Sequence, residues 1–216
     1  MPDITADIWF DFVCPWCHIG KRRWEAALAG FEHREAVHVR WRSFELDPHG
    51  SREARLTIPQ RMQQDLGLSA RQAAEGADSL TALAAELGLT YRLDLARPVN
   101  SFDAHRLLHA AVDQGRGDQV GERLLRAYTG EGADLADHMT LAALADEAGF
   151  PAEAARALLR GHDYADAVRA DEDEARRRGV SGVPSFVITG RRIITGAQSP
   201  DVLLEELRLA WRRVTG

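Results

Sequence analysis

The sequence predicts an α/β domain interrupted by a large all-helical insertion. Three observations carry that expectation. Strand, helix and strand patterns follow one another through residues 4–44; helical periodicity alone runs from roughly 55 to 178; two short strand patterns and a final helix then close the chain. The 216 residues suffice for a sizeable core. They divide as 1–54, 55–178 and 179–216, with the outer two segments forming one domain around the insertion.

In chain order, Ile4-Thr5-Ala6-Asp7-Ile8-Trp9-Phe10 is apolar enough for a buried strand and partly alternates. Pro15 stands where a first-turn proline is tolerated, and Ile19, Arg22, Arg23, Ala26, Ala27 and Leu28 continue at helical spacing. Residues 37–44 alternate as a second strand before the turn signal Asp47-Pro48-His49-Gly50. The middle supplies successive helical faces: Leu80, Leu83, Ala84 and Leu87; Leu107, Leu108 and Ala111; Leu124, Leu125 and Tyr128. Two more precede Gly149 and Gly161, which read as helix stops, and Asn100-Ser101-Phe102-Asp103 reads as a helix cap. Pro184–Ile188 and Arg192–Ile194, separated by Thr189-Gly190-Arg191, predict a hairpin. Ser199-Pro200-Asp201 then opens a terminal helix with Leu203, Leu204, Leu207 and Ala210 on one face.

A net charge of -6 gives no broad electrostatic reason to expect nucleic acid. The basic runs Lys21-Arg22-Arg23, Arg176-Arg177-Arg178 and Arg191-Arg192 read as helix-end and turn solvation, with an anion or substrate patch as the alternative for the last two. The N-terminus has no basic flank leading into an apolar secretory segment, and no stretch is long enough to cross a bilayer. The expectation is a soluble, cytoplasmic protein without a membrane partner. In that compartment free cysteines are more often catalytic, redox-sensing or metal-binding than structural.

Both cysteines of the chain lie in Cys14-Pro15-Trp16-Cys17, after an apolar run and before the first helix. This places the sulfurs in a helix first turn, where unpaired backbone N–H groups and the helix dipole stabilise a thiolate on Cys14. Cys14 is expected to attack a disulfide and Cys17 to resolve the mixed disulfide by exchange. A zinc half-site of Cys14, Cys17 and His18 is the competing reading. Tetrahedral zinc needs further placed ligands, however, and the remaining histidines show no ligand spacing, so no metal is expected. Trp16, between the thiols, is expected exposed, limiting solvent access and offering an apolar contact. His18 either tunes the thiolate or lies on the helix surface.

With these segments in view, the chain resembles the DsbA-like thioredoxin-fold oxidoreductases, specifically the FrnE-like branch. The resemblance rests on Asp11–Lys21, Arg42–Pro48, Asn100–Arg106 and Gly179–Ile188 continuing to Gly196-Ala197-Gln198, in family order over almost the whole chain. It implies a thioredoxin fold carrying a helical insertion. It also implies a cis bond between Val183 and Pro184, beside the cysteines, with the Val183 backbone pairing with an extended substrate and Pro184 guarding the thiols from other contacts. Asn100 and His105 would border the cleft, although His105 reads equally as a satisfied interhelical histidine. Gln198 would touch substrate or, more simply, stabilise a turn.

The function so implied is thiol–disulfide oxidoreduction through Cys14 and Cys17, as a protein disulfide oxidoreductase or isomerase. Related glutathione-dependent isomerases and kappa-class glutathione transferases carry serine at the position of Cys14; here both thiols remain. A glutathione-dependent isomerase or transferase acting on a small aromatic or polyketide substrate is one alternative. A redox-linked chaperone or protein-interaction module is the other. No tightly bound cofactor is expected. The resemblance implies a disulfide- or thiol-containing protein or small molecule as partner, glutathione as redox partner or cosubstrate, and a homodimer by analogy.

Overall fold

Apolar residues on both faces of the first strand require cover on both sides, and the fold supplies it. The computed structural model describes residues 3–216. Met1 and Pro2, which begin the segment read above for a secretory signal, lie outside them. Strand β1 (Ile4–Phe10) is central in a four-stranded sheet of order β2-β1-β3-β4. It pairs parallel with β2 (Val37–Ser43), from Ile4 opposite Val37 to Phe10 opposite Ser43, and antiparallel with β3 (Ser185–Ile188). The expected hairpin is present: β3 pairs antiparallel with β4 (Ile193–Thr195). A parallel pair needs a crossover, and α1 (Pro15–Ala29) provides it.

Helices α1 and α9 (Pro200–Thr215) cover one sheet face. Ile4, Ala6 and Ile8 of β1 cluster there with Trp24, Ala27, Phe186, Ile188, Leu203, Leu207 and Ala210, and the Trp24 ring stacks on Phe186 at 5.8 Å between centroids. The buried residues of α1 are Cys17, His18, Ile19, Gly20, Lys21, Trp24 and Ala27; of the expected face Ile19 and Ala27 are among them, whereas Arg22, Arg23, Ala26 and Leu28 are not. Burying an indole of this kind is worth about 3–5 kcal/mol against alanine.

The other face is part apolar, part ionic. Trp9 packs with Ala175, Val180 and Val187, and its Nε1 donates to the Asp171 carbonyl at 3.0 Å. Arg42 bridges the buried Asp7 (2.9 Å) and Asp171 (2.8 Å), whose second oxygen accepts the Ser43 N–H at 2.9 Å; Arg169 pairs with the buried Glu45 at 2.6 Å. Buried carboxylates persist only with such partners.

The chain forms two compact units, one running to Leu46 and resuming at Arg169, the other Asp47–Val168. These junctions differ from the expected 54/55 and 178/179, for identifiable reasons. Residues 47–51 are tied into the second unit through Arg61 to Asp47 (3.1 Å), Asn100 Nδ2 to the Pro48 carbonyl (3.3 Å) and Asn100 N–H to the Ser51 carbonyl (2.9 Å). Arg169, Asp171 and Ala175 belong to the sheet unit through the contacts just described.

The second unit is helical: α2 (Ile58–Leu66), α3 (Ala70–Glu86), α4 (Phe102–Asp113), α5 (Gly117–Arg126), α6 (His138–Glu147) and α7 (Ala152–Arg160), with α8 (Ala165–Arg178) leading back to the sheet. Thr57 with Gln60 and Ser69 with Gln72 form capping boxes that start α2 and α3. Gly149 follows α6 at φ +82°, the left-handed stop that glycine permits, whereas Gly161 ends α7 with extended backbone. Among the described residues no helix is long and apolar enough to cross a membrane.

Candidate active site

The loop between β1 and α1 sets the site. Cys14 is the N-cap of α1 in extended conformation (φ −100°, ψ 109°), and Pro15 opens the helix, where its missing N–H and fixed φ fit. The Cys14 carbonyl accepts the Cys17 N–H at 2.9 Å, closing the first turn and setting both sulfurs on the same helix end. Neither is cross-linked: both cysteines are free thiols. Cys14 is 6% exposed and Cys17 1%, while Trp16 between them is 45% exposed, as expected from its position.

Burial pushes the Cys17 thiol well above its ordinary value; the hydrogen bond with Cys14 and the Cys14 charge add to this, against the opposing N–H of Asp11, which lies 3.4 Å from Cys17 Sγ. Cys17 therefore holds its proton in the resting dithiol. His18 is buried, which removes the helix-surface reading for it.

Opposite the pair, the Val183–Pro184 bond is cis, and Cys14 Sγ donates to the Val183 carbonyl at 3.7 Å. Three contacts fix this loop. Ser185 Oγ donates to the Gly182 carbonyl at 2.6 Å, Gly196 N–H donates to the Pro184 carbonyl at 2.8 Å, and the Pro184 ring lies directly against Gly20 of α1. Arg23 of α1 donates to the Ala197 carbonyl next door. Gln198 serves its own turn: its side-chain amide donates to the Thr195 carbonyl at 2.8 Å and the residue is exposed.

Cys14, Pro15, Trp16, Cys17, His18, Val183 and Pro184 all lie in the sheet unit; the Val183 carbonyl meets Cys14 Sγ and the Pro184 ring meets Gly20 of the cysteine-bearing helix. Asn100 and His105 belong to the helical unit. Asn100 Oδ1 accepts the Phe102 N–H at 3.2 Å at the start of α4, the turn expected of it, though the N-cap position itself is Ser101. His105 is fully buried within α4. Among the described residues no three His, Cys, Asp or Glu side chains are grouped as metal ligands.

Two residues that shape the site escaped the sequence reading. Gly20 is a helix-interior glycine, which is about 1 kcal/mol less favourable than alanine and so points to a close approach. Asp11 is a charged residue within an apolar run, which requires buried partners; its carboxylate accepts the N–H groups of Val13 (3.3 Å) and Leu46 (2.8 Å).

A thioredoxin-type sheet interrupted by a helical unit, with a Cys-x-x-Cys pair at the start of its first helix, is the architecture of a DsbA-like thiol–disulfide oxidoreductase. The chain belongs to the DSBA-like thioredoxin domain family, which it matches over residues 5–208. It is 40% identical to a probable DsbA oxidoreductase from Streptomyces coelicolor, covering 99% of this chain and 92% of that one, and the two structures superpose with a TM-score of 0.94. The YwbO protein of Bacillus subtilis is 27% identical over 201 residues, 92% of this chain and 93% of YwbO. The fold is also that of the cytosolic disulfide reductase DsbM from Pseudomonas aeruginosa, solved with GSH, at 21% identity and a TM-score of 0.63 over 96% of this chain and 99% of the other.

Proposed function

We propose that this chain is a cytoplasmic member of the FrnE-like branch that exchanges thiols and disulfides through Cys14 as nucleophile and Cys17 as resolving thiol. In the reducing direction the Cys14 thiolate attacks one sulfur of a substrate disulfide; a Cys14–substrate bond forms, and the other substrate sulfur leaves as a thiolate that takes up a proton. Cys17 then gives up its proton and attacks Cys14 Sγ. The internal disulfide forms and the second substrate sulfur departs as a thiol, so two electrons have passed from enzyme to substrate.

The observation that carries this reading is the placement of Cys14 Sγ at the helix start, 3.7 Å from the Val183 carbonyl, with Cys17 buried in the same turn and its thiol pushed up by that burial. An exposed Trp16 beside the thiols offers an apolar contact for the residues flanking a substrate disulfide. Val183 would offer its backbone to an extended chain and Pro184 would close the site to unwanted partners. Glutathione is the small thiol that fits this chemistry as electron donor; the DsbM structure with GSH is a relative in fold that supports the choice. A homodimer and a cleft role for Asn100 and His105 belong to the same FrnE-like reading.

Trapping tests it. Cys17→Ser incubated with a peptide disulfide should accumulate a stable adduct on Cys14, visible by intact mass, while Cys14→Ser should accumulate none. Equal adducts on both variants, or adduct formation only through Cys17, would contradict the assignment.

A further inference from the structure

Three consecutive cations on α1 have different counterparts. Lys21 and Arg22 both pair with Glu25, Arg22 at 2.8 Å. Arg23, half-buried, instead donates to the Ala197 carbonyl, a neutral acceptor, and among the described residues no carboxylate pairs with it. Its guanidinium therefore keeps its charge, together with further N–H donors in the planar fork that fits a carboxylate.

That charge stands at the end of a continuous run of contacts that starts at the dithiol. Cys14 Sγ meets the Val183 carbonyl at 3.7 Å, the Pro184 ring lies against Gly20, the Pro184 carbonyl accepts the Gly196 N–H at 2.8 Å, and the next residue, Ala197, holds Arg23. All of these residues belong to the sheet unit. Along α1, Arg23 lies about 13.5 Å beyond Cys14 at 1.5 Å per residue. Helical side chains lean back toward the N-terminal end, here toward the cysteines, and a lean of about one turn leaves roughly 8 Å. Two or three residues of extended chain, at about 3.3–3.6 Å each, cover that interval.

We propose that Arg23 is a specificity residue of the exchange site: it binds a carboxylate carried two or three residues from the reacting sulfur of the substrate, so that anionic thiols and disulfides are preferred over neutral ones. The proposal rests on the oxidoreductase reading above and deepens it by naming the substrate class. Such a carboxylate has two sources, glutathione or an acidic residue near a polypeptide cysteine. In the direction that regenerates the dithiol, a substrate thiolate attacks Cys14 Sγ; the Cys14–Cys17 bond breaks, and Cys17 leaves as a thiolate that takes up a proton. A second substrate thiol gives up its proton and attacks the substrate sulfur of the mixed disulfide, releasing Cys14. Two substrate thiols have become one disulfide, and two electrons have passed to the enzyme. Arg23 stays outside the electron count and holds the carboxylate while the sulfur reaches Cys14.

Full-length parent, Arg23→Gln and Arg23→Lys provide the test. Each is oxidised, and reduction of the Cys14–Cys17 bond is timed by alkylation and intact mass with two matched pairs of thiols: glutathione against its diethyl ester, and a cysteine peptide with Glu three residues from the Cys against the same peptide with Gln. In Arg23→Gln the rate with the carboxylate member of at least one pair should fall by about five-fold, as expected of a partly exposed ion pair, while the uncharged member keeps its rate. Arg23→Lys, which retains the charge, should keep most of the preference, and added salt should shrink the preference of the parent. A fall with glutathione alone identifies the small thiol as the source, and a fall with the peptide alone identifies the polypeptide. A residue that merely braces the Ala197 turn would slow charged and uncharged thiols alike; that result, or rates unchanged throughout, overturns the proposal. Where neither variant folds, the parent decides: indifference to substrate charge at low salt overturns the proposal. A parent that forms no reversible Cys14–Cys17 bond sinks the oxidoreductase reading instead, so the two failures are distinct.

Discussion

Pro184 lies so close to Gly20 that a Cβ added to the glycine would stand 2.7 Å from the proline Cγ and 3.1 Å from its Cβ. The helix that carries the cysteines and the loop that carries the Val183 carbonyl therefore meet at a point with no room for a methyl group. Gly20→Ala sets two effects against each other: a helix-propensity gain of about 1 kcal/mol and an overpacking cost of about 1–3 kcal/mol. The clash should win by about 1 kcal/mol in urea unfolding, and displacement of the loop should slow exchange with a peptide disulfide by about ten-fold, or about 1.4 kcal/mol in the barrier. A variant that is stabilised and fully active would show that this contact does not position the site.

The two thiols should react in a fixed order. Cys17 is 1% exposed and burial pushes its thiol up, whereas Cys14, 6% exposed, is the N-cap of the helix. Iodoacetamide at pH 7 on the reduced protein should label Cys14 first, with Cys17 labelled only after unfolding. Peptide mapping after limited alkylation reads the order directly, and first labelling at Cys17 would reverse the proposed roles.

Cys17 also links stability to pH. Its folded value lies above the unfolded thiol value of about 8.5. Above about pH 8.5 the unfolded chain binds fewer protons than the folded one, so stability falls as pH rises; below it the contribution is fully present. Urea unfolding of the reduced protein should therefore show a loss between pH 8 and about pH 10 that the oxidised protein, lacking the thiol, does not show. Parallel curves for the two forms would contradict this.

A second linkage lies in the helical unit. Burial pushes the Asp103 carboxyl up, but hydrogen bonds from His138 (2.7 Å) and Arg106 (2.8 Å) and the charge of Arg52 more than offset it and hold it below its ordinary value. The stability this supplies is present above about pH 4 and lost as pH falls through the folded value. Arg106 is itself buried and also donates to the Asp163, Leu158 and Gly161 carbonyls. Asp103→Asn should lower stability at pH 7 by about 3 kcal/mol and flatten the acid limb of the pH–stability curve; an unchanged limb would remove Asp103 from that role.

Much of this was legible because periodicity reports burial. An apolar run located β1, alternation located β2, two short runs across Thr189-Gly190-Arg191 located the β3–β4 hairpin, Pro15 and Ser199-Pro200 marked the starts of α1 and α9, and the resemblance brought Val183-Pro184 to the cysteines. What stayed hidden depends on partners distant in sequence. The sheet unit extends into α8 because Arg169 and Asp171 are bound by Glu45, Arg42 and Ser43, and charged residues leave no apolar pattern to follow. Asp11 is buried for the same reason, its two oxygens satisfied by backbone donors that no spacing rule anticipates. Trp24 joins Ile19 and Ala27 on the buried side of α1, where it packs in the sheet core, and Gly20 faces Pro184; neither contact has a signature in helical spacing alone.

The central claim is that Cys14 and Cys17 cycle between dithiol and disulfide. An anaerobic redox titration of the purified chain, with mass spectrometric detection of the Cys14–Cys17 bond and of any glutathione adduct, tests it most directly. The account predicts a single reversible two-electron transition with the bond confined to these two sulfurs. Absence of a reversible intramolecular disulfide at every accessible potential would contradict it.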